Sequence, residues 1–163
     1  LGLVPLRDSR LMGVECPAPS VNTYGGHQGR LVRARVASSR SPWLAQCEPG
    51  DIHTVAISHG EGRFVCSPEL QHQLEVTGRI ATQYVDEAGQ PSMDWDVNPN
   101  GSVMAIEGIT SPDRRVLGQM GHGQRRGPGL YQNVPGTTFM PLLDNGVEVV
   151  PHVNAKAAAG PTA

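Results

Sequence analysis

The 163 residues carry 13 basic and 15 acidic side chains, a formal net charge of -2, and are 38% hydrophobic. That is enough apolar material for the core of one ordinary domain, and there is no broad positive field to hold nucleic acid or an anionic bilayer. No window approaches the roughly 18 uninterrupted apolar residues of a spanning helix, and the N-terminal LGLVPLRDSR lacks the basic-then-apolar order of a secretory signal, so the expectation is a cytoplasmic protein. Twenty glycines and 14 prolines, about a fifth of the chain, predict many tight loops between short elements without reaching the range of default disorder. Cys16, Cys47 and Cys66 are odd in number, widely spaced and free of any CxxC pair. This argues for reduced, mostly buried thiols over a disulfide framework or a zinc cluster.

In chain order, QGRLVRARVA at 28–37 alternates, with Val32, Ala34 and Val36 on one face and Leu31, Arg33 and Arg35 on the other, the pattern of a half-buried strand. Ser41-Pro42 opens a short turn or helical piece, and CEPGD at 47–51 breaks it. The β-branched run IHTVAIS at 52–58 then predicts a central strand ending at His59. Ser67-Pro68-Glu69 is a helix start: a capping hydroxyl, a proline whose missing N–H costs nothing there, and a carboxylate at the positive end. Leu70 and Leu74 form its buried stripe and Gly78 its stop.

A strand pair is expected at 80–86 and 92–97 around the loop 87–91, followed by a turn-forming NPNGS at 98–102. VMAIEGIT at 103–110 and VLGQM at 116–120 read as two more strands, and 121–129 as a glycine-rich loop. MPLLDNGVEVV predicts a short helix or strand, and 151–163 an Ala/Gly/Pro-rich mobile tail beyond a domain at 1–150. Strands interleaved with one or two helices suggest an α/β or α+β domain whose function lies in its loops.

Two loops carry chemistry. In SHGEG at 58–62, small residues let backbone N–H groups approach a ligand, and Glu61 is a base, an amine partner or a surface charge. In GHGQR at 121–125, side chains i and i+2 of an extended stretch point the same way, so Gln124 can reach the His122 ring and fix its tautomer. The alternative is a loop histidine satisfied by backbone, with Arg125 and Arg126 as a solvated basic turn. NPNGS is either an anion cradle or a plain turn.

SPWL at 41–44, SHGEGRF at 58–64, ATQYVD at 81–86, NPNGS at 98–102, IEGITSPD at 106–113, MGHGQR at 120–125 and GLYQNVPG at 129–136 together resemble the glutaminase domain of phosphoribosylformylglycinamidine synthase, in order and spacing, from Leu1 to about Val149. The resemblance implies a flavodoxin-like, three-layer α/β domain of a class I glutamine amidotransferase. In that family a cysteine thiolate attacks the glutamine amide, a histidine shuttles protons, and a glutamate orients the histidine. Ammonia passes to a synthetase domain or subunit that uses ATP and Mg to amidate formylglycinamide ribonucleotide in purine synthesis, with no cofactor in the glutaminase itself.

By motif, His122 matches the triad histidine and Gln124 stands where the family has glutamate. Ser58, His59, Gly60 and Glu61 match the segment that lines the glutamine pocket, largely through main-chain groups. The family's cysteine elbow lies upstream of the segment that LGLVP resembles. The expectation is therefore an incomplete domain that lacks its N-terminal strands and nucleophile and is inactive as this fragment. Gln124 also keeps open a second reading, a non-catalytic amidotransferase-like module packed on the synthetase. A third is an unrelated small-anion-binding domain using the loops at 60–63 and 98–102.

Overall fold

The computed structural model describes residues 18–148 apart from 126 and 128. Cys16, Arg126 and the expected tail at 151–163 lie outside the described residues. The strands are β1 (Ala18–Ser20), β2 (Gln28–Val36), β3 (Ile52–His59), β4 (Arg63–Val65), β5 (Ile80–Tyr84), β6 (Ile106–Thr110) and β7 (Leu117–Gln119), with helix α1 at Pro68–Val76. A further helical stretch covers 142–148. β1 and β4 pair by themselves, and the other strands form one five-stranded sheet in the order β3-β2-β5-β6-β7. Every strand pair in it is antiparallel.

β2 buries Val32, Ala34 and Val36 as its alternation predicts. On the opposite face the Arg33 and Arg35 guanidiniums donate to the carbonyls of Asp86 and Gly89, tying the strand to the loop after β5. α1 starts on Ser67, whose hydroxyl accepts from the Leu70 N–H, and buries Leu70 and Leu74. It ends as a Schellman motif: Arg79 N–H bonds the Leu74 carbonyl and Gly78 N–H the Glu75 carbonyl, with Gly78 left-handed at φ 64°.

Four expectations change. β3 is an edge strand, not a central one; its β-branched residues are buried because irregular chain covers the edge. Thr54 N–H bonds the Thr137 carbonyl at 2.8 Å, the Thr54 hydroxyl donates to the Pro135 carbonyl, and the His122 N–H bonds the Ala56 carbonyl at 2.8 Å. Residues 92–97 form no strand. Only an isolated bridge joins Val85 to Pro91, and the chain then turns on the Asp94 carbonyl while Arg30 takes the carbonyls of Trp95 and Asp96. The strand expected from 103 begins at 106, because Met104 and Ala105 adopt positive φ in a tight turn. The strand expected at 116–120 contracts to Leu117–Gln119.

The sheet curls until its two edges meet. Only three residues after β7, His122 hydrogen-bonds to β3 at the opposite end of the strand order. The intervening Met120 N–H is held by the carbonyl of Glu107 on β6. Among the described residues three apolar clusters fill the interior, around Val55 and Tyr84, around Leu44 and Met140, and between α1 and β6.

Candidate active site

The curl places the two histidine loops at one end of β3. His59 is the last residue of that strand, and Ala56, which anchors the His122 amide, lies three residues earlier, about 10 Å along the strand. The His59 ring is enclosed: neither ring nitrogen has a hydrogen-bond partner among the described residues. Burial lowers its pKa, and the nearby His27 and His122 charges lower it further against the raising effect of its own backbone hydrogen bond. His59 is therefore a neutral imidazole at neutral pH.

Gly62 makes that placement possible. A Cβ on it would sit 2.4 Å from the His59 ring, so only glycine lets the turn close over the imidazole. A Cβ on Gly60 would meet nothing within 4 Å, which leaves the main chain there open to a ligand. Glu61 is exposed. The Ser58 hydroxyl lies 3.1 Å from His27 Nε2.

The turn is fixed from behind by residues that sequence reading did not single out. Buried Asn22 donates to the His59 carbonyl at 2.9 Å, accepts from the Gly62 N–H at 3.0 Å, and bonds the Gly60 carbonyl through its own amide. The NPNGS loop completes the support. Asn100 donates to the Gly62 carbonyl at 2.8 Å and to the Tyr84 hydroxyl at 2.9 Å, while Ser102 donates to Asn100 Oδ1 and accepts from the Phe64 N–H. Asn98 bonds both the Ser102 N–H and carbonyl. With these side chains buried and engaged inward, the loop is a buttress for the glycine turn and not an anion cradle.

The second loop stands on Glu107. Its buried carboxylate accepts hydrogen bonds from the Thr82 hydroxyl and the Gly121 N–H. Burial pushes its pKa up, against those bonds and the one to Met120, which lower it. A Cβ on Gly121 would lie 2.8 Å from Glu107 Oε1 and from Val55 Cγ2, so this residue too is forced to be glycine. Glu107 lies within the IEGITSPD stretch, yet its burial beneath position 121 depends on the curl, which no sequence period reports.

Gln124 Nε2 is 2.9 Å from His122 Nδ1, as the i, i+2 spacing predicts. The polarity is the reverse of a triad's. An amide NH₂ only donates, so Nδ1 accepts and the ring proton rests on Nε2. Cys47 is buried and Cys66 half-buried, both within apolar clusters. Burial raises the Cys47 thiol and pushes Cys66 up to about 11, so neither metal-free thiol is a thiolate nucleophile at neutral pH.

The curled α/β fold is shared with known proteins. Residues 1–147 match the CobB/CobQ-like glutamine amidotransferase domain family, and the chain belongs to that family. It is 40% identical over 94 residues to the phosphoribosylformylglycinamidine synthase subunit PurQ of Thermomicrobium roseum, covering 58% of this chain and 39% of that one. It is 32% identical over 120 residues to the PurQ subunit of Rubrobacter xylanophilus, covering 74% and 50%. The structure of PurLQS from Thermotoga maritima superposes with a TM-score of 0.60 at 22% identity, covering 85% of this chain and 55% of that one, and this likeness shows the amidotransferase fold. The chain spans between about two fifths and half the length of these curated relatives.

Proposed function

We propose that this chain is the glutamine-binding and proton-transferring part of a glutaminase that feeds ammonia to an ATP-dependent synthetase acting on formylglycinamide ribonucleotide. The observation that carries the reading is the convergence of the open main chain at Gly60 and the His122 ring on one end of β3. Glutamine's carboxamide lies against the backbone of 58–61. Ser58, His59, Gly60 and Glu61 form that wall, with His59 as a neutral, enclosed ring. His122 exchanges protons with a cysteine of the intact protein other than Cys16, Cys47 or Cys66, whose thiolate attacks the amide carbon and expels ammonia. ATP and Mg belong to the synthetase partner, and the glutaminase part uses no cofactor. We propose the cytoplasm as the compartment of the reaction. Among the described residues no helix is long and apolar enough to cross a membrane.

Gln124 favours a second reading, a non-catalytic module, because it holds His122 in the tautomer that cannot take a proton at Nε2. Glutamate release by the intact protein separates the two. The enzyme reading predicts that His122→Asn abolishes turnover and that Gln124→Glu, by accepting from Nδ1, raises it roughly tenfold or more. That gain is well inside the factor of about 10⁴ that a wrong-tautomer substitution costs a serine-protease triad. A wild type without turnover that Gln124→Glu fails to activate supports the module.

A further inference from the structure

Cys47, Asp51 and His53 bring a sulfur, a carboxylate oxygen and an imidazole nitrogen within 4.8 Å of one another. We propose that they form a zinc site separate from the glutamine cleft. His53 is six residues before His59 on the same strand, roughly 20 Å away at about 3.3 Å per residue.

The local fold explains why the three meet. Gly50 N–H bonds the Val36 carbonyl and Val36 N–H bonds the Asp51 carbonyl, both at 2.8 Å, pinning the CEPGD turn to the end of β2. Cys47 and Asp51 thus flank a closed turn, and Asp51 and His53, two apart at the start of an extended strand, share a side. His53 is 6% exposed, and its Nδ1 lies 2.9 Å from the Phe139 carbonyl. A carbonyl only accepts, so Nδ1 carries the proton and the Nε2 lone pair is the free one. That buried Nε2 has no partner among the described residues. An imidazole held through Nδ1–H on a backbone carbonyl, its buried Nε2 unengaged and the ring beside a thiol and a carboxylate, is how proteins orient a metal-ligating histidine.

The donor set selects the ion. A thiolate and an imidazole suit zinc, and hard cations such as Mg²⁺ or Ca²⁺ prefer oxygen alone. Tetrahedral zinc at bond lengths of roughly 2.0–2.3 Å separates its donors by about 3.4–3.6 Å, so side-chain adjustments of about an ångström complete the site. One thiolate, one carboxylate and a neutral imidazole cancel the ion's charge, which matters for Cys47 at 5% exposure. Asp51 is exposed and provides the entry, and its Oδ2 also accepts from the Glu48 N–H at 2.8 Å. The fourth position falls to water. The ion would tie the 47–51 turn and, through His53, the Phe139 segment to the edge of β3.

The test uses Zn²⁺ and Co²⁺ alone on the intact protein. Zinc should bind at one equivalent and raise Tm, and Co²⁺ should give the tetrahedral visible bands with a thiolate-to-cobalt charge-transfer band in the near ultraviolet. Cys47→Ser should remove that band, and Asp51→Asn should weaken zinc about tenfold or more. Asp51 is exposed and its asparagine keeps the Glu48 bond, so that variant reads the site even where a buried substitution unfolds the chain. Absence of the charge-transfer band from wild type, or zinc affinity unchanged in Asp51→Asn, overturns the proposal.

Discussion

Gly62 and His59 are the sharpest coupling at the residue scale, because the absent Cβ of one is the space occupied by the ring of the other. Gly62→Ala should destabilise by about 1–3 kcal/mol through overpacking. His59→Ala removes the obstacle, so the double variant should be less destabilised than the two single effects combined, a coupling that thermal or denaturant melts resolve. Glu107 gives a pH signature. Its folded pKa is raised, so the folded state binds the proton more tightly and stability is lost as pH climbs from the ordinary glutamate value of about 4.3 through the raised one. Glu107→Gln can still accept from Gly121 and donate to Thr82. Its stability relative to wild type should rise with pH over that window and then level off, as melts across pH would show.

Among the elements, β2, α1 and the extent of β3 were legible because periodicity, capping and β-branching are local signals. The rank of β3 in the sheet was not. An apolar run is consistent with a central strand or with an edge sealed by irregular chain, and here residues 135–139 and 122 do the sealing. The Thr54 amide, which points outward from that edge to Thr137, should therefore exchange with deuterium as slowly as sheet-interior amides. Exchange at the rate of a free edge would contradict the seal. The phantom strand at 92–97 shows the converse. Hairpin-like spacing after β5 suggested a partner, but Arg30, on the same face of β2 as Val32, captures the carbonyls a ladder would have needed.

At the scale of the molecule, the candidate site depends on curl. In a flat sheet β3 and β7 stand four places apart, and the loops that follow them would not meet. Glu107 and Val55, packed on either side of Gly121, carry the chain from one edge to the other. The individual site residues could be named from their motifs, and the His122–Gln124 contact from its spacing. The Asn22 and Asn100 braces, the polarity of the Gln124 bond and the Cys47–Asp51–His53 cluster needed three dimensions, because each joins groups whose meeting depends on turns or long-range pairing.

The central claim is that the turn at 58–62 and the loop at 121–124 enclose one glutamine. Titrating glutamine into the isotopically labelled intact protein and following backbone amides tests it most directly. The account predicts that Gly60, Glu61 and Gly62 shift together with His122 and Gly123 along a single saturation curve. Shifts confined to one of the two loops, or centred away from the end of β3, would contradict it.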